Sequence, residues 1–173
     1  MNMAMAKAAR TVAMVLLAGC LLAGGGCRKK APAPTISTAG DPLSMVVATW
    51  QTGGQEPATR QFLAIDWKAY PVGANSIFAL REDQLPQWSN WQAVAAAAQE
   101  YSEPIRELSR HVLEQASQAA KAGDREKAAA HVRSVQECGD FLASDGRLAI
   151  FQALGRRLKR IVEDKRTELD IEN

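Results

Sequence analysis

The side chains able to do covalent or metal chemistry are few in this chain, and they are scattered. The cysteines are Cys20, Cys27 and Cys138, and the histidines are His111 and His131. His131 and Cys138 stand seven apart and could share a helix face, but two ligands do not make a closed metal site. No Cys-x-x-Cys, His-Glu-x-x-His or Cys-x-x-Cys-His occurs, which sets aside thioredoxin-like, zinc and c-type haem chemistry. No Gly-x-Ser-x-Gly offers a nucleophile elbow. Gly24-Gly25-Gly26 runs into a spacer and not into a helix whose N-terminus could hold phosphate. The pairs Glu82/Asp83 and Glu163/Asp164 adjoin basic residues, and helix neighbours do not face the same way. Glycosidic chemistry needs two carboxyl groups opposed across a cleft. The expectation is a protein that is not an enzyme and carries neither metal nor cofactor.

Cys20 stands apart because of what precedes it. Lys7 and Arg10 form a short positive region, with no acidic residue before Asp41. An apolar run from Thr11 to Leu17 leads into the small residues Ala18 and Gly19. A charged start, an apolar middle and a small-residue exit make a secretory signal. From Thr11 to Gly26 there are 16 uncharged residues, four of them glycine, short of the ~20 apolar residues of a spanning helix. An uncleaved anchor and an ordinary signal peptide are the competing readings. Leu17-Ala18-Gly19-Cys20 resembles the bacterial lipobox. The resemblance implies that residues 1–19 are removed and that Cys20 becomes the mature N-terminus. Its sulfur would carry a diacylglyceryl group, and its amine usually gains a further acyl chain. Leu21, where the family often has Asp for inner-membrane retention, leans towards the outer membrane. Before Cys27 the glycines supply no aliphatic lipobox residue, so Cys20 is the expected lipid site.

Two or more acyl chains make a durable anchor. The chain has 21 basic and 19 acidic residues, and loss of Lys7 and Arg10 balances them. Such a balance gives no reason to expect nucleic acid as a partner. Arg28-Lys29-Lys30 is the basic run closest to the lipid, either a contact for anionic head groups or a solubilising tether. Residues 20–40 are rich in Gly, Pro, Ala, Ser and Thr, and read as a disordered spacer after the lipidated cysteine. Export permits a disulfide, but a bond from Cys27 in the spacer to Cys138 is disfavoured. Cys138 reads as a small buried apolar residue.

The positioning elements follow from Asp41 onward. Asp41-Pro42 is a helix start. Leu43, Val46, Val47 and Trp50 then keep helical spacing up to Gly53-Gly54. A second helix is predicted from about Glu56 to Asp66, with Ala58, Phe62, Leu63 and Ile65 inward. Ser76–Leu80 reads as a short extended piece, and Arg81–Leu85 as at most one helical turn before Pro86. Ser89 or Asn90 caps a helix from Trp91. Pro104 either kinks one long helix or divides two, and the stripe Ile105, Leu108, Val112, Ala116 and Ala119 favours a kink. Asp124 caps the next helix to about Ala143, and the last carries Leu148, Phe151, Leu154, Leu158, Ile161, Val162 and Leu169. The mixed charges on its other face read as solvated.

Gly53-Gly54-x3-Ala58-x3-Phe62 echoes Gly123-Asp124-x3-Ala128-x3-Val132. Both copies resemble the turn and second helix of a tetratricopeptide-type hairpin, although they stand 70 residues apart instead of ~34 and lack the Trp-x2-Leu-Gly opening. The resemblance implies antiparallel helical hairpins and not a peptide-binding solenoid. The predicted fold is all-α: a small bundle of such hairpins over 41–173, after the tether, with one longer irregular connection. That connection gathers Trp67, Tyr70, Trp88 and Trp91, which either pack onto the helices or line a partner or ligand groove. The expected function is that of a membrane-anchored envelope lipoprotein, held through Cys20, with a scaffold or assembly role towards another envelope protein. A small-ligand binder or enzyme accessory using the aromatic groove, and a purely structural envelope protein, are the alternatives.

Overall fold

The computed structural model describes residues 30–33, 35–37, 40–73 and 75–171. Leu17, Ala18, Gly19, Cys20 and Cys27 lie outside the described residues. The body is all-α. Five helices carry it: α1 (Pro42–Gln51), α2 (Gln55–Leu63), α3 (Trp91–Lys121), α4 (Arg125–Ala143) and α5 (Ala149–Leu169). Two 3-10 segments, Ile77–Ala79 and Glu82–Gln87, lie in the connection before α3. Among the described residues the only β pairing is two isolated bridges, and no helix is long and apolar enough to cross a membrane.

The glycines at the two echoing turns explain how the hairpins close. Gly53 (φ 87°) and Gly123 (φ 83°) take the left-handed conformation that glycine adopts without steric cost. In the first turn Gly54 N–H donates to Thr49 O at 3.1 Å and Gly53 N–H to Trp50 O at 3.0 Å. In the second, Asp124 N–H donates to Ala119 O at 2.9 Å and Gly123 N–H to Ala120 O at 3.0 Å. This paired pattern is the Schellman closure, which satisfies carbonyls left over at a helix end. Ala58 and Ala128 sit at the matching place in the following helices, and both are fully buried. Asp124 also caps α4, accepting from Lys127 N–H at 3.0 Å.

Helix α3 runs unbroken through Pro104, which is itself buried beside Ile105. Its 31 residues span ~46 Å. Trp50 of α1 touches the middle of α3, with its ring centroid 5.6 Å from that of His111, and Ser44 lies level with Tyr101. The two helices are therefore parallel. Because Trp91 precedes Tyr101 by ten residues, the start of α3 projects ~15 Å beyond that level.

The connection between α2 and α3 departs from expectation. Helix α2 stops at Leu63, because the Asp66 carboxylate accepts both Lys68 and Ala69 N–H at 3.1 Å and turns the chain. Ser76–Leu80 is a 3-10 turn and not an extended piece. Ile77 and Phe78 are both fully buried, whereas a strand would send neighbours to opposite faces. The Ser76 hydroxyl accepts from Phe78 N–H at 3.1 Å and fixes that turn. The second 3-10 segment continues through Pro86 to Gln87, longer than the single turn expected.

Just before the body, the described residues among 31–37 form a strap that touches it. Ala31 forms a parallel bridge with Trp88, and its carbonyl accepts from Ser89 N–H at 3.0 Å. Ala33 N–H donates to Asn90 Oδ1 at 2.7 Å, and Ser37 N–H to Asn75 O at 2.9 Å. Proline keeps this stretch out of a helix, and extended backbone then finds partners on the body. Asn90 occupies the N-cap position of α3 but makes no side-chain cap bond; its oxygen serves the strap.

Cys138 is fully buried on α4, in the apolar core with Phe151, Leu142 and Leu158. Burial pushes its thiol well above the ordinary range. In the unfolded chain the thiol ionises at ~8.5 while the folded state keeps its proton. The unfolded state then binds fewer protons, so stability falls by ~1.4 kcal/mol per pH unit above that point. With Cys20 and Cys27 changed to Ser, Cys138 should resist thiol reagents at pH 8 until urea unfolds the protein. A Cys138→Ala variant should lack that alkaline slope in unfolding measurements between about pH 8.5 and 10.

Candidate functional site

At the end of the bundle where α1 starts, the chemistry begins with Asp41. Its side chain is fully buried. Oδ1 accepts from Ser44 N–H at 2.9 Å and from the Tyr70 hydroxyl at 2.7 Å. Oδ2 accepts from the Ser76 hydroxyl at 2.7 Å. Tyr70 in turn accepts Leu43 N–H at 2.9 Å, so phenol and carboxylate together serve the first amides of α1. Burial, followed by the bond to Asp41, raises the Tyr70 phenol far above its usual range and keeps it neutral.

Aromatic rings fill the space beside this network. Trp67 and Tyr70 stack with centroids 5.6 Å apart and planes at 12°. Phe141 of α4 meets Tyr70 at 4.3 Å and Trp67 at 5.8 Å. The Arg147 guanidinium carbon lies 3.9 Å from the Phe141 ring centre. Its Nε donates at 2.7 Å to both Phe141 O and Ser144 Oγ, and its Nη1 donates to Phe78 O. Desolvation lowers the Arg147 guanidinium, while Tyr70 and Asp41 act in the opposite direction.

Outside these rings lies an open groove of ≈ 590 Å³ along α4. Trp67 and Phe141 form its apolar floor, and Lys68, Arg133 and Arg147 bring positive charge to it. Asp140, also on the groove, pairs with Lys159 at 2.7 Å. Among the described residues, Nε1 of Trp67 and Oε1 of Gln136 are closed off from solvent and find no hydrogen-bond partner.

Of the four aromatics expected to share a groove, the structure brings together only Trp67 and Tyr70. Trp67 is almost wholly buried as core, where indole usually packs. Trp88 is half-buried under the strap, and Trp91 is exposed at the tip of α3. Between the two pairs the connection turns inward, with Ile77 and Phe78 of the first 3-10 segment and the following Leu80 buried in the core. Asp41 is legible in the sequence only as a helix cap. Phe141, Ser76 and Arg147 carry no local signal, since their partners lie far away in the chain.

His131 and Cys138 both lie on α4, and both are buried. His131 Nδ1 lies 2.7 Å from Lys127 O on its own helix. Among the described residues no cluster of three or more His, Cys, Asp or Glu could hold a metal ion. Comparison of the chain with protein-family models, with curated proteins and with solved structures finds no match.

Proposed function

We propose that this chain is an envelope lipoprotein, anchored through acylated Cys20, whose helical body has a non-catalytic scaffold role towards another envelope protein. Leu17-Ala18-Gly19-Cys20, behind a positive and then apolar run, supports the anchor. The observation that carries the docking role is the groove along α4. It combines the aromatic side chains of Trp67 and Phe141 with the arginines Arg133 and Arg147, residue types enriched where one protein docks on another.

Intact-mass measurement of the membrane-extracted protein tests the anchor. The expected species begins at Cys20 and carries added acyl mass, and Cys20→Ala should leave the membrane fraction. A Cys20→Ala form that stays membrane-bound at high salt overturns the lipid anchor. For the docking role, a photocrosslinking residue at Arg133 should trap one discrete envelope protein in native cells. The same residue at exposed Arg110 of α3 is the control. Equal labelling from both positions speaks against the groove.

A further inference from the structure

The strap makes the body's orientation a question of chain length. Ala31 is pinned beside Trp88, and Ala33 is pinned to Asn90, immediately before the exposed tip of α3. Resting on the lipid-anchor reading of Cys20, we propose that this tip is the membrane-facing end, and that Trp91 seats in the head-group region of the anchoring bilayer.

From Cys20 to Ala31 the chain is 11 residues long, a reach of at most ~40 Å. The strap end of the body is therefore held within that reach of the bilayer, at an effective concentration in the millimolar range. A weak surface contact becomes productive at that concentration. The far end, with the Gly53 and Gly123 turns, is held away by the length of the bundle.

The chemistry of the tip suits a lipid interface. Trp91 is 43% exposed, one of three exposed large apolar side chains among the described residues. It is the first residue of the helix that projects furthest at this end. Indole prefers the head-group level, where its ring is shielded and its N–H stays wet. Lys30 and its sequence neighbours Arg28 and Lys29 precede the strap and would draw it to anionic lipid. Of the acids before Trp91 in the connection, Asp83 pairs with Arg81 at 3.3 Å and Glu82 accepts from Ala149 N–H at 2.7 Å.

The test uses the full mature protein extracted from membranes and reconstituted in phosphatidylethanolamine–phosphatidylglycerol vesicles. Some of the lipids carry bromine on the acyl chain near the head group, which quenches indole fluorescence. The wild-type protein should lose part of its tryptophan emission, and Trp91→Phe should abolish most of that loss. Trp91 is exposed, so this variant keeps the fold, and far-UV circular dichroism checks it. An acylated protein whose quenching is the same with and without Trp91 overturns the membrane-facing tip and leaves the anchor standing. A mass without acyl groups overturns the anchor, and the proposal falls with it.

Discussion

Gly155→Ala should destabilise the folded body by about 2 kcal/mol or more, although alanine is the better helix former. Gly155 lies inside α5 where that helix crosses α4 at Gly139. A Cβ built at Gly155 would stand 2.5 Å from both Ala143 N and Gly139 O, and 2.9 Å from Leu142 C. All three are backbone atoms of α4, so no rotamer change relieves the contact and the helices must separate. Separation would loosen Leu142, Leu154 and Leu158 together. The helix-propensity gain of ~1 kcal/mol opposes this but is smaller than the packing loss. Gly139→Ala is the built-in comparison. Its nearest neighbours would be Lys159 Cγ at 3.1 Å and Gly155 O at 3.2 Å. The lysine chain can swing away and the oxygen need yield only slightly, so the loss should be smaller. Urea unfolding followed by circular dichroism reads both. A Gly155→Ala protein as stable as wild type would mean that α4 and α5 do not cross at these glycines.

That crossing also shows what the sequence can and cannot reveal. The stripe on α5 and the caps at Asp41 and Asp124 are local patterns, and the helices form where those patterns place them. The Gly53 and Gly123 turns are legible for the same reason, since a left-handed residue and a following buried alanine lie within a few positions of each other. Gly139 and Gly155 instead look like ordinary helical glycines, because their meaning depends on a partner 16 residues away. The aromatic site suffers more. Trp67 and Tyr70 stand out by composition, but Phe141 and Arg147, which complete their cluster, lie some seventy residues further on. Trp88 and Trp91 share the same stretch of sequence as Trp67 and Tyr70 and yet belong to the strap and the tip. Sequence proximity gathered them, and the burial of Ile77 and Phe78 divided them.

Asp41→Ala should have the largest effect of any single polar substitution in the body, about 3–5 kcal/mol of lost stability. Three donors converge on that carboxylate: Ser44 N–H, the Tyr70 hydroxyl and the Ser76 hydroxyl. Ser44, Tyr70 and Ser76 come from α1 and two separate points of the long connection, so one side chain fastens the loop to the first helix. Alanine would leave these donors facing a small void, and the cost of unsatisfied buried groups exceeds the net worth of the bonds themselves. It would also remove the cap of α1, itself worth ~1 kcal/mol, and a negative charge that favours the half-buried Arg147 guanidinium. Asp41→Asn separates shape from charge. The amide oxygen can still accept from Ser44 and Tyr70, and its NH2 can donate to Ser76, whose hydroxyl has a second lone pair. The asparagine variant should therefore lose about half as much as the alanine variant. Tyr70→Phe removes the phenol that both donates to Asp41 and accepts Leu43 N–H. Combined with Asp41→Ala it should be less damaging than the sum of the two, because each change already breaks the bond they share. Strict additivity in urea unfolding would show that the carboxylate and the phenol act independently, and the loop would then be held to α1 by its apolar side chains alone.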